Sequence, residues 1–90
     1  MSEPDLVVVR LREQITANDR ALLVGVNRRL ELVAELRRHK EERGLTFVDP
    51  ERERWMLGDL ARANGGPLSD RGVEELLAFL LELTKREVAR

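Results

Sequence analysis

REQITANDRALLVGVNRRLELVAELRRHK, from Arg12 to Lys40, is the stretch on which the fold turns. Its heptad-spaced positions are Arg12, Ile15, Asp19, Leu22, Val26, Arg29, Val33, Leu36 and Lys40. A seam at this spacing faces a partner helix and ordinarily carries apolar residues. Here three cations and one acid are set among the aliphatic side chains. Burying an unpaired charge is costly, so a cation in such a seam needs a counter-charge. One Asp cannot neutralise three cations, and the missing anions are expected from a bound ligand. The helix therefore reads as one wall of a site for a small, multiply anionic molecule.

Outward from this stretch the pattern stays helical, with no proline or glycine cluster to break it. Asp5, after Pro4, is a candidate N-cap, and Gly44 a stop after Arg43. A helix of about 38 residues, rising about 1.5 Å each, spans roughly 57 Å. A compact globule of this chain length is only about 31 Å across, from a radius of gyration near 12 Å. The helix is thus expected to overhang its own globule and to need cover from another chain. Gly25 within it is a candidate point for the close approach of another helix.

Leu45 to Val48 reads as a short linker. Asp49-Pro50-Glu51 then starts a second helix, with Asp49 as N-cap and Pro50 at its first position. That helix is expected to turn Met56, Leu57, Leu60 and Ala61 inward and to stop at Asn64-Gly65-Gly66-Pro67. Ser69 caps a third helix whose buried side carries Val73, Leu76, Leu77, Leu80 and Leu81, with Ala89 and Arg90 fraying. The expected fold is all-α, a three-helix protomer with one very long N-terminal helix, paired in an intertwined homodimer. Residues 1–90 read as a single domain.

Composition narrows the function. The chain has 90 residues, 16 basic and 17 acidic, with a net charge of −1. That balance argues against a nucleic-acid or anionic-membrane surface. There is no Cys, hence no disulfide framework or thiolate chemistry, and His39 alone cannot make a zinc site. No apolar run is long enough for a signal-peptide core or a membrane span. A soluble cytoplasmic protein is the expectation.

Arg29 and Lys40 are eleven residues apart, which on a straight helix is about 20° of rotation and roughly 16 Å of rise. Val33 and Leu36 lie between them, so the two cations can reach from either end into one aliphatic-floored pocket. Arg12 lies about 100° around from Arg29 and about 25 Å away. It fits the pocket of a partner chain better than its own. Arg52 is unfavourable so near the positive end of the second helix, which suggests a ligand arm; neighbouring Glu53 suits that end. Thr84 and Glu87 stand one turn apart after the apolar run of the third helix. Trp55 and Met56 read as core or interface, His39 as surface, and Arg28, Arg37 and Arg38 as solvated cations of the outer face.

These residues together resemble the all-helical, AroQ-class chorismate mutases. The resemblance rests on Leu11-Arg12-Glu13, Ile15, Asp19, Arg29, Lys40, Asp49 and Arg52-Glu53, whose spacing matches without a gap. It implies a Claisen rearrangement of chorismate to prephenate, serving phenylalanine and tyrosine synthesis, with no metal or other cofactor. It also implies an intertwined dimer in which each site takes Arg29, Lys40, Asp49, Arg52 and Glu53 from one chain and Arg12 from the other. Arg12 and Arg29 would clamp the two substrate carboxylates. Arg52 would support the hydroxyl and carboxylate region, and Glu53 would accept from the ring hydroxyl. Lys40 would donate to the ether oxygen.

The third helix departs from the family pattern. Thr84 matches a position where the family has Ser or Thr. Four residues on, where the family places a Gln or Glu beside the ether oxygen, stands Val88, which cannot donate. Glu87 is one residue short and is the candidate replacement; as a carboxyl it donates only when protonated. Rival readings within the superfamily are an isochorismate-pyruvate lyase and a 4-amino-4-deoxychorismate mutase. A rival of another class is a non-catalytic helical dimerisation module, whose stripe charges would pair across the dimer. Association with another shikimate-pathway enzyme is a further expectation.

Overall fold

The computed structural model describes residues 3–89, and among these the secondary structure is helical throughout. Helix α1 spans Leu6–Glu42, α2 spans Pro50–Ala63 and α3 spans Asp70–Val88. The expected fraying at Ala89 and Arg90 lies partly outside the described residues: Ala89 follows the last helical residue, and Arg90 is not described. No helix among the described residues is long and apolar enough to cross a membrane.

Local chemistry sets the boundaries. The Asp5 carboxylate accepts from the amides of Val7 (2.9 Å) and Val8 (3.3 Å), two donors that the start of α1 otherwise leaves without partners. At the other end Gly44 takes a positive φ of 67°. This lets the Leu45 amide reach the Lys40 carbonyl (2.8 Å) and the Gly44 amide reach that of Glu41 (3.2 Å). The pair of bonds is a Schellman motif, and a side chain at Gly44 would strain it. Asp49 caps α2 through bonds from Glu51 and Arg52 amides, and the Ser69 hydroxyl caps α3 through the Gly72 amide at 3.0 Å.

The chain divides into two compact units, one ending at Leu32 and the other beginning at Val33. In the first unit α1 leaves large apolar side chains in the open, among them Leu6, Ile15, Leu22, Leu23 and Val24. Among the described residues nothing lies within 4 Å of the Cβ position of Gly25. In the second unit α2 packs on α3. Val73 and Leu77 of α3 form its buried centre, with Met56, Leu57, Leu80 and Leu81 half-buried around them. Burying one such aliphatic side chain contributes about 1.5–3 kcal/mol, so this core is small. Leu76, Leu60 and Ala61, expected to face inward, are instead exposed.

Candidate active site

Within the second unit, the last turns of α1, the first turn of α2 and the end of α3 come together. Arg37 of α1 donates from Nη1 to the Val88 carbonyl of α3 at 3.0 Å. Its guanidinium also lies 5.6 Å from the centre of the Phe47 ring, in the α1–α2 linker. Lys40 donates from Nζ to the Phe47 carbonyl at 3.4 Å. Lys85 of α3 places Nζ 4.0 Å from Oε1 of Glu53 in α2. Each contact has a physical reason. The last carbonyls of a helix lack intrahelical partners and carry the negative end of its dipole, so Arg37 is a suitable partner for Val88. The Phe47 ring turns the negative face of its π-system to the same guanidinium.

Lys40 is half-buried, and among the described residues no carboxylate pairs with it. Its bond to Phe47 is long for N–H···O, so the ammonium exchanges that carbonyl for another acceptor at small cost. Asp49 spends one carboxylate oxygen on the α2 cap, at 3.1 Å from the Glu51 amide and 3.2 Å from that of Arg52. Arg52 stacks 4.4 Å above Trp55, and both are exposed. The stacking keeps the guanidinium extended while leaving its edge open to a carboxylate. Trp55, read as core or interface, is not in the core: it is exposed and lies under the Arg52 guanidinium.

Thr84 is buried, and its hydroxyl donates to the Leu80 carbonyl at 2.6 Å. Glu87 is half-buried with Oε2 3.4 Å from the Arg86 guanidinium, and Val88 is half-buried with its carbonyl engaged by Arg37. Arg12 and Arg29 belong to the first unit. Arg12 is exposed beside Val9, Thr16 and Arg20, and no ion pair engages it among the described residues. Arg29 is half-buried.

Two side chains escaped the sequence reading. Arg37 is no solvated outer cation: it is half-buried, ion-paired with Glu41 at 3.0 Å and bonded to α3. Its signal was present, since it lies only about 60° around the helix from Lys40. Lys85 sits beside Glu53, whereas the candidate donor on α3 in the sequence was Glu87. A cavity of about 320 Å³ between α2 and α3 also touches Glu53, with Leu57, Leu77 and Leu81 in its walls. Its charged lining is Glu53, Glu74 and Arg54, an excess of acid that suits no dianion.

The Asp49 cap yields a stability test. Asp49→Ala is expected to cost about 1 kcal/mol, or about 4–8 °C in melting temperature for a chain of this size. Asp49→Asn keeps an acceptor at the cap and is expected to melt within about 2 °C of wild type. Equal melting temperatures for the Ala variant and wild type would show that the cap contributes nothing.

Comparison with known proteins accords with this geometry. Residues 11–88 match the family described as chorismate mutase type II. The structure of chorismate mutase (form II) from Thermus thermophilus superposes with a TM-score of 0.86 at 30% identity, covering 92% of this chain and 94% of that one. The form I structure from the same organism gives a TM-score of 0.82 at 31% identity, with 86% and 96% covered. No curated protein matches significantly. A family match reaching from Leu11 to Val88, together with the same helical fold in those structures, shows that this chain belongs to the type II chorismate mutases, the all-helical class of these isomerases.

Proposed function

We propose that two copies of this chain form an intertwined homodimer with two sites, each rearranging chorismate to prephenate. Each site takes Arg29, Lys40, Asp49, Arg52, Glu53, Thr84 and Val88 from one protomer and Arg12 from the other, and the residues from 1 to 90 act as one domain. The observation that supports this reading is the approach of the end of α3 to α2 through Lys85 and Glu53 and to α1 through Arg37 and Val88, with Lys40 held at the linker by the Phe47 carbonyl, in a chain of this family. The exposed apolar side of α1 favours a second copy as its cover: Ile15 is 60% exposed and Leu22 61%, on the seam that carries Arg12.

The reaction breaks one C–O bond, makes one C–C bond and transfers no proton. The protein has two tasks, to hold chorismate in its compact chair conformer and to stabilise negative charge growing on the ether oxygen. Arg12 and Arg29 suit the first task, because the planar guanidinium fork binds a carboxylate through two parallel bonds. Glu53 accepts from the ring hydroxyl, and Arg52 supports the same end of the substrate. Lys40 serves the second task by donating to the ether oxygen. The product's use in phenylalanine and tyrosine synthesis favours a cytoplasmic enzyme.

Incubation with chorismate, following the loss of its ultraviolet absorbance and identifying the product, tests the reading. Prephenate is the expected product. Release of pyruvate from isochorismate without prephenate from chorismate would replace the mutase with the lyase. No turnover by a folded dimer would leave the dimerisation module in its place.

A further inference from the structure

The site as proposed has one strong donor at the ether oxygen, Lys40, and an apolar side chain, Val88, where the family pattern calls for a second. The cation that pairs with the Glu53 carboxylate among the described residues belongs to α3, and not to α1. It is Lys85, with Nζ 4.0 Å from Oε1 of Glu53. We infer that Lys85 is the second donor: its ammonium, resting beside Glu53 in the free protein, bonds the ether oxygen of bound chorismate.

This inference rests on the proposed reading of the site, and three observations carry it. The first is chemical. Glu53 is placed to accept from the ring hydroxyl, and in chorismate the ether oxygen sits on the neighbouring ring carbon. An ammonium beside that carboxylate is therefore within reach of the ether oxygen by rotation of its flexible stem. The second is helical geometry. Lys85 lies about 60° around α3 from Val88 and roughly 4.5 Å along it, a gap that a four-carbon lysine stem spans. Glu87 is about 200° around from Lys85, so the two address opposite sides of the helix. The Glu87 carboxylate is also in contact with Arg86.

The third observation is availability. The Lys85–Glu53 pair stands at the outer limit of an ion pair, and the Lys85 side chain is 58% exposed. Such a pair is weak in water and exchanges readily for a better partner. An oxygen that gains negative charge as its C–O bond breaks, in a site closed around the substrate, is that partner.

The test compares wild type, Lys85→Met, Lys85→Arg, Glu87→Ala and the double variant Lys85→Met/Val88→Gln on chorismate. Far-ultraviolet circular dichroism checks the fold, which loss of this exposed side chain should not disturb. Lys85→Met is expected to lower kcat by about 100-fold with a much smaller change in KM, as for loss of a donor that acts in the transition state. Lys85→Arg should retain most of the activity. Restoring a donor with Gln at position 88 should return at least about tenfold of the loss, a rescue that a merely structural ion pair with Glu53 would not show. Wild-type kcat and KM in Lys85→Met, or a large loss confined to Glu87→Ala, would overturn the inference while leaving an active mutase. A wild-type protein that does not convert chorismate would overturn the reading beneath it, and the inference with it.

Discussion

Lys40→Ala is expected to lower kcat on chorismate by about 100- to 1000-fold while helix content stays at the wild-type level. The side chain is half-buried at the end of α1, and its bond to the Phe47 carbonyl is long, at 3.4 Å. Removing it therefore breaks little of the fold. On the proposed reading, what it takes away is a positive donor for an oxygen that becomes more negative in the transition state than in bound substrate. That difference is what makes the loss appear in kcat. Arg29→Ala should fall by about 100-fold or more through a different route, because one carboxylate would lose its fork and the compact conformer its clamp. Arg29→Lys should recover little, since a point charge does not reproduce two parallel bonds. Wild-type kinetics in Lys40→Ala or Arg29→Ala would place the pocket elsewhere.

Arg12 is expected to act across the dimer. Arg12→Ala and Lys40→Ala homodimers should each be nearly inactive. Mixed and refolded together, they should yield heterodimers in which one of the two sites is whole, with about half the wild-type activity per heterodimer. The expectation follows from exposure: Arg12 stands open to solvent on α1 and has no ion-pair partner among the described residues. The same apolar surface should make stability depend on protein concentration. Verified heterodimers without recovered activity would contradict donation in trans, and a folded, active monomer in dilute sedimentation would contradict the dimer itself.

Helix ends and the family were legible in the sequence because each depends on residues close together in the chain or fixed in spacing. The Asp5, Asp49 and Ser69 caps and the Gly44 stop act over two to five residues of backbone, and all four stand where the residue types indicated. The spacing of Arg12, Arg29, Lys40 and Arg52-Glu53 led to the chorismate mutases for the same reason, and residues 11–88 match that family. Periodicity was a poorer guide to which apolar side chains are covered. Leu76 satisfies the period yet is 50% exposed, while Val73 and Leu77 are buried, because the rotation of α3 against α2 is a tertiary choice.

The same holds for charge. Local pattern assigned Arg37 to solvent, and nothing near it in sequence shows the Val88 carbonyl that it reaches 51 residues away. Nothing local in the sequence showed the Arg52 guanidinium stacked on Trp55. Lys85 meets Glu53 only through the packing of two helices. What the sequence by itself determined was three helices, their caps and a set of cations at the spacing of one enzyme family. Only the tertiary structure decided which of those cations are already engaged, and which lysine of α3 stands beside the acid of α2. Hydrogen-bonded ends are settled within a turn of backbone, whereas a long side chain finds its partner only when helices distant in sequence are brought together.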